Sequence, residues 1–298
     1  MSRRAAPRDG TASGSQVPGK AGPEFVGPEF LVIGAMKAGT TALYHMLSQH
    51  PRIGMSRMKE TDFFIAEKNL SLGLRWYLAQ FPAAPCRGEV SPNYAKDDIF
   101  PGTAARASAA LPRARILFLA RDPVARFAAH YRHAWATGNM QVPPDALLSS
   151  PEGQHMLETS RYWARLAPWR AAYPAEALLT VGFEALIADP QAQMQRIFAH
   201  LGLDPVPVAL PATRNEAASV ARVPASIQRL WRSRSARRLD ALVGRQMRNA
   251  ARRLLARGPV RPVPALPEAV LAQAAEALAE DAARFRAETG LSLPGWAV

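Results

Sequence analysis

Short wholly apolar runs alternate along this chain with stretches whose apolar residues recur every three or four positions. The first run is Phe30-Leu31-Val32-Ile33, which stops at Gly34; a helical pattern opens near Thr41 with Leu43, Met46 and Leu47 on one face. A second run, Ile116 to Ala120, gives way to Arg121-Asp122-Pro123 and a helix beginning near Val124. A third, Ala177 to Val181, leads into Phe183-Glu184-Ala185-Leu186. Asp189-Pro190 then starts a helix carrying Met194, Ile197, Phe198 and Leu201, halted by Gly202. The last helical pattern runs from about Pro267 to Glu288. Runs rich in β-branched residues and without polar alternation are strands buried on both faces, as in parallel sheets. Strands of that kind alternating with helices predict an α/β fold, a three-layer parallel sheet flanked by helices.

Outside this pattern lie two segments. Residues 1–28 are rich in Gly, Ser, Pro and Arg and lack apolar periodicity, so they are expected to form a disordered N-terminal tail. Residues 29–298 are expected to form one domain, with an Arg-rich helical segment at about 213–261. That segment holds thirteen arginines between Thr213 and Arg261 against Glu216 and Asp240, with Leu, Ile, Met and Trp at helical spacing between them. It reads as amphipathic helices with a solvated basic face, as a platform for an anionic or membrane-bound acceptor, or as a nucleic-acid contact.

The 298-residue chain has 48% apolar and 20% charged residues, ordinary globular usage, and its net charge of +13 points to an anionic partner. A single cysteine, Cys86, excludes an internal disulfide and disfavours a cysteine zinc site. No apolar run reaches the ~20 residues of a membrane span, and the N-terminus lacks a secretory apolar stretch. A cytoplasmic location is the resulting expectation.

The chemistry concentrates in the first strand-turn-helix. Gly34-Ala35-Met36-Lys37-Ala38-Gly39-Thr40-Thr41 joins a strand to a helix, where backbone amides and the positive helix end form an anion cradle. Gly39 permits close backbone approach, Thr40 and Thr41 add hydroxyls, and Lys37 adds a full charge. A nucleoside-triphosphate P-loop requires its lysine directly after the second glycine. Here the two glycines and the hydroxyl pair have P-loop spacing, but the lysine stands two positions before Gly39.

This arrangement resembles the 5′-phosphosulfate-binding loop of sulfotransferases that use 3′-phosphoadenosine 5′-phosphosulfate (PAPS), above all the heparan-sulfate and bacterial carbohydrate branch, with its K-x-G-T-T-x-L loop. Lys37, Gly39, Thr40, Thr41 and Leu43 match it, and His50-Pro51 follows as in relatives. The family's 3′-phosphate signature, R-[DN]-P-x-x-R-x-x-S-x-Y, is similar to Arg121-Asp122-Pro123-Val124-Ala125-Arg126-Phe127-Ala128-Ala129-His130-Tyr131, with Ala129 in place of the serine. Phe183-Glu184-Ala185-Leu186 with Asp189-Pro190 resembles Y-E-x-L-x-x-D-P, and Gly290 to Trp296 resembles the usual C-terminal end. The resemblance implies a P-loop NTPase-like sulfotransferase fold, PAPS as co-substrate, and 3′-phosphoadenosine 5′-phosphate (PAP) as product. It assigns Lys37, Ala38, Gly39, Thr40, Thr41 and Arg121 to the donor, with His130, Arg126 or Arg222 as replacements for the missing serine. Arg126 has a second reading, as the partner of a core carboxylate.

Lys59-Glu60-Thr61-Asp62-Phe63-Phe64 resembles the branch's K-E-x-x-F-F segment, which implies Glu60 as general base. Phe63 and Phe64 beside it are expected to desolvate the carboxylate. Asp62 stands where some relatives carry histidine and is expected to orient acceptor or base. Gly88-Glu89-Val90-Ser91-Pro92-Asn93-Tyr94 resembles G-E-x-[ST]-P-x-Y, with Val90 where heparan-sulfate enzymes place a lysine; Ser91 is a turn residue or a ligand contact. Lys37 would neutralise charge on the departing phosphate. No metal is expected, and His130 with His133 is expected to be a helix-surface pair. The acceptor implied is a carbohydrate, glycolipid or small molecule with a hydroxyl or amine, and no nucleic acid. Two other function classes stay open: a kinase or ATPase using nucleoside triphosphate, and a non-catalytic basic module for anionic lipid or nucleic acid.

Overall fold

The computed structural model describes residues 27–211 and 262–298. Most of the expected tail and the whole Arg-rich segment 213–261, Arg222 included, lie outside the described residues. In chain order the elements are β1 (Phe30–Gly34), α1 (Thr40–Leu47), β2 (Ile53–Met55), α2 (Gly73–Leu78), β3 (Cys86–Val90) and α3 (Thr103–Ala110). Then follow β4 (Arg115–Ala120), α4 (Pro123–Ala136), α5 (Pro151–Ser160), α6 (Tyr162–Ala172), β5 (Leu178–Gly182), α7 (Phe183–Ala188), α8 (Pro190–His200) and α9 (Glu268–Thr289). The five strands form one parallel sheet in the order β2-β3-β1-β4-β5.

All three expected strands and the helices that follow them are present within a residue or two. Phe30 to Ile33 and Ile116 to Ala120, in the sheet's centre, are at most 1% exposed, as unbroken apolar runs require. The strands β2 and β3 and the helices α2, α3, α5 and α6 carry no such run and were not foreseen. Helix α4 starts where the chain says it should: Asp122 Oδ1 accepts from the Ala125 amide at 2.6 Å and Pro123 takes the first helical position. A second apolar cluster, with Phe127, Tyr131, Met156 and Leu278, joins α4, α5 and α9. Among the described residues, no helix is long and apolar enough to cross a membrane.

From β1 the chain moves outward to β2 and β3, then crosses back over β1 to β4 and β5. The order therefore reverses between β1 and β4. In open α/β sheets the crevice at the carboxyl ends of such strands is where ligands bind. The segments leaving that edge are Gly34 to Thr41 after β1, Ser91 to Lys96 after β3, Arg121-Asp122 after β4 and Phe183-Glu184 after β5. The sequence motifs thus emerge on one side of the sheet.

Candidate active site

The turn after β1 is tightly wound. Lys37 has φ 68° and Gly39 φ 94°, both left-handed, and the Ala38 amide donates to the Ala35 carbonyl at 3.1 Å. The amide of Ala38, expected to face the donor, is therefore engaged inside the turn. Gly39 is the N-cap of α1, and the first-turn amides, those of Thr40 and Thr41 among them, have no acceptor in their own helix. Thr40 is buried and Thr41 half-buried.

A Cβ on Gly39 would sit 2.4 Å from the Phe183 ring. The Arg121 guanidinium lies over the same ring, 5.1 Å from its centroid. Phe183 is thus the shared contact of the turn, the Arg121 motif and the Phe183-Glu184 motif. Glu184 extends the junction: its Oε1 accepts from the Asp122 amide at 2.9 Å and its Oε2 from Trp296 Nε1 at 3.2 Å. The Ala297 amide donates to Asp122 Oδ2, while Trp296 stacks on Phe285. The C-terminal stretch is pinned beside the N-terminus of α4. Gly39→Ala combines a left-handed φ with a collision against Phe183, so it is expected to lower stability by about 1–3 kcal/mol, measured by chemical denaturation.

Among the described residues, neither Arg121 nor Arg126 forms an ion pair with a carboxylate. Arg121 Nε is buried and has no hydrogen-bond partner among the described residues. Arg126 is fully buried, and its guanidinium meets only neutral groups: Ser160 Oγ at 2.7 Å, the Met156 carbonyl at 2.6 Å, the Met36 carbonyl at 3.3 Å and His130 Nδ1 at 3.4 Å. Burial lowers its pKa to about 10. The reading of Arg126 as the partner of a core carboxylate does not hold, since among the described residues it pairs with none; it braces the turn through Met36. His130 is also buried, packs on His155 with ring centroids 5.6 Å apart, and does not form a surface pair with His133. Arginine can only donate, so Nδ1 accepts and His130 is neutral. Burial first, then the charges of Arg126, Lys96, His155 and Lys37, hold its pKa far below the usual histidine range.

On the other flank lies the loop between β2 and α2. Glu60 has φ 64°, its amide donates to the Val90 carbonyl at 2.9 Å, and its carboxylate pairs with Lys59 at 2.9 Å. The Glu60 side chain is 42% exposed. Phe63 and Phe64 do not wall it off as expected: both are core residues, stacked on or edge-on to Tyr77. Asp62 is buried, accepts from Lys68 at 2.5 Å and from Asn93 at 3.1 Å, and its amide donates to Ser91 Oγ at 3.2 Å. Ser91 in turn donates to Glu89 at 2.8 Å, so its contacts are those of a turn residue.

The roles of two residues escaped the sequence reading. Glu89 is fully buried and accepts from four hydroxyls: Thr61, Tyr77 at 2.6 Å, Ser91 and Tyr94 at 2.9 Å. Burial raises its pKa, and these hydrogen bonds work against the rise. It anchors the Glu60 loop to β3. Lys96, just past the 3-10 turn Pro92–Ala95, is 8% exposed, and its Nζ donates to Met36 Sδ at 3.3 Å. The hydroxyl-rich spacing of Thr61, Ser91 and Tyr94 around Glu89 was a visible signal; nothing in the sequence marked Lys96 as buried. Among the described residues, no three His, Cys, Asp or Glu side chains gather as a metal-binding group.

A five-stranded parallel sheet with a tight turn at its switch point, flanked by helices, gives an α/β protein of the sulfotransferase fold. The crystal structure of a sulfotransferase from Alicyclobacillus acidocaldarius superposes with TM-score 0.64, covering 91% of this chain and 99% of that one at 20% identity. The sulfotransferase family model matches residues 75–207. Human bifunctional heparan sulfate N-deacetylase/N-sulfotransferase 2 is 31% identical over 201 residues, which is 60% of this chain and 22% of that protein. The membrane-associated sulfotransferase kil1 of Dictyostelium discoideum is 34% identical over 124 residues, 39% of this chain and 25% of that protein. The chain thus spans about a fifth to a quarter of the length of these relatives.

Proposed function

We propose that residues 29–298 form one catalytic domain that transfers a sulfuryl group from PAPS to a hydroxyl or amine of a carbohydrate acceptor. The observation that carries this is the convergence at the β1 turn of cations that form no ion pair among the described residues: Arg121 with a buried, unpartnered Nε, Arg126 with neutral acceptors only, and Lys96 on a thioether. A buried charge without a counter-charge is costly, and a bound polyanion supplies the compensation. PAPS carries two such anionic ends. The turn amides, with Thr40 and Thr41, suit its 5′-phosphosulfate, and Arg121 over Phe183 suits its 3′-phosphate as a bidentate donor.

Lys37 in the turn would neutralise the negative charge growing on the departing 5′-phosphate, and Glu60 would take the acceptor's proton. The acceptor class is supported by the carbohydrate-acting relatives, since the matched human protein is named for heparan sulfate. Incubating the full chain with [35S]PAPS and N-desulfated heparan sulfate tests the proposal. Label in polymer, with PAP released in equal amount, is expected; a protein that binds neither PAPS nor PAP in calorimetry would refute it.

Arg121→Met is expected to weaken PAP binding by about 10- to 150-fold, the worth of a charge-assisted contact of about 1.5–3 kcal/mol. Affinity for adenosine 5′-phosphate, which lacks the 3′-phosphate, should stay within twofold of wild type. Equal losses for both nucleotides in titration calorimetry would remove Arg121 from the 3′-phosphate.

A further inference from the structure

Lys96 stands at the crossing of three elements. It follows the turn that leaves β3, it touches Met36 beside Lys37 in the donor turn, and it feels charges from every side. Facing it are Glu60, Asp62 and Lys68 from the loop after β2, Arg126 and His130 from α4, and His155 from α5. Among the described residues its one hydrogen-bond acceptor is the Met36 thioether, a weak one, and no carboxylate lies within ion-pair distance. An ammonium with three donors is thus held 8% exposed with one poor acceptor. A surface-seeking lysine would extend its stem and keep its head in water. This one does the reverse, its head turned onto Met36 in the donor turn.

We propose that Lys96 is a catalytic residue, whose ammonium binds the sulfuryl oxygens during transfer; the proposal rests on the sulfuryl transfer proposed above. In that step the bond from sulfur to the bridging oxygen of the 5′-phosphate breaks, and its electron pair leaves on that oxygen beside Lys37. A new bond forms from the acceptor's oxygen or nitrogen to sulfur, and the acceptor's proton passes to the Glu60 carboxylate. Lys96 neither gives nor takes a proton. It supplies fixed positive charge to the three sulfur-bound oxygens from the β3 side, while Lys37 acts on the leaving group from the β1 side. Val90, where heparan-sulfate enzymes place a lysine, is fully buried and brings no charge to this side.

Burial, then the charges of Lys68 and Arg126, lower the Lys96 pKa to about 8, with Asp62 and Glu60 acting the other way. The protonated form is the active one. Activity is therefore present below that value and declines as pH rises through it.

The test compares wild type, Lys96→Met and Lys96→Arg as full chains. PAP release from PAPS is followed with N-desulfated heparan sulfate and with water alone as acceptor, and PAP affinity by calorimetry. Lys96→Met is expected to lower kcat about 10- to 100-fold, with PAP affinity, which involves no sulfuryl group, within threefold of wild type. Lys96→Arg should recover part of kcat and abolish the decline of kcat/KM above about pH 8. Turnover of Lys96→Met within twofold of wild type overturns the proposal, and so does a parallel loss of PAP affinity and turnover, the mark of a structural role. A wild-type protein that binds no PAP and releases none from PAPS would instead overturn the sulfuryl transfer itself, and Lys96's role with it.

Discussion

Glu60→Gln is expected to lower kcat by about 10²–10⁴-fold, the usual contribution of a positioned general base, while PAP affinity stays within twofold of wild type. The substitution keeps the shape of the side chain and removes only its ability to take a proton. The fold should tolerate it, because the loop is held by other groups: the Glu60 amide on the Val90 carbonyl, and Thr61 on the buried carboxylate of Glu89. Two other carboxylates lie nearby, and their surroundings suit them less well to the task. Glu89 is sealed in the core beneath four hydroxyls, out of an acceptor's reach. Asp62 is buried against Lys68 and Asn93, and its neighbours hold it in place. Glu60 alone of the three combines a fixed backbone with a half-exposed side chain. Full turnover of Glu60→Gln under saturating acceptor would transfer the proton to another group.

Why Glu60 could be singled out from sequence while its support could not is a matter of which forces leave local traces. The strands β1 and β4 are buried on both faces, so their residues are apolar without interruption and the pattern is plain. Strand β3 lies beside β1 yet reads Cys86-Arg87-Gly88-Glu89-Val90, because its interior positions answer to particular partners. Gly88 is small because the Phe30 ring covers it, at 2.1 Å from where a Cβ would stand. Glu89 is polar because four hydroxyls from three segments meet it, and Arg87 pairs with Glu29 at 2.9 Å. Such requirements are long-range, and periodicity cannot express them. Likewise, Arg126 and His130 sit on a helix whose spacing gives no hint that this face packs on α5. The motif residues Lys37, Gly39 and Arg121 were legible because the chemistry of binding phosphate fixes residue type and spacing locally. That they meet through Phe183 was not, since an aromatic after a strand is ordinarily core.

Lys37→Met should cost about 10²–10³-fold in kcat, the scale of losing one preorganised group aimed at developing charge, and much less in PAP affinity. The asymmetry follows from where charge changes. PAP presents a 5′-phosphate already charged, and Lys37 shares it with the turn amides and the positive end of α1, so its removal should cost about tenfold, the lower range of one charge-assisted bond. During transfer, the bridging oxygen gains charge that the ground state lacks, and only a group stronger in the transition state raises kcat. The turn is built to hold one residue there. Lys37 takes a left-handed φ of 68°, a conformation that costs about 1–3 kcal/mol for a residue other than glycine. On its N-terminal side Met36 is held by Arg126 and Lys96, and on the other Ala38 is fully buried with its amide tied back to Ala35. Strain sustained by contacts on both sides is what a positioned charge requires. Lys37→Arg should recover little, because a planar fork does not replace a compact ammonium in a turn this tight. Single-turnover rates and PAP calorimetry on the same variants separate the two effects. Equal falls in rate and in PAP affinity would make Lys37 a ground-state anchor for the donor and leave the leaving-group charge to Lys96 and the amides.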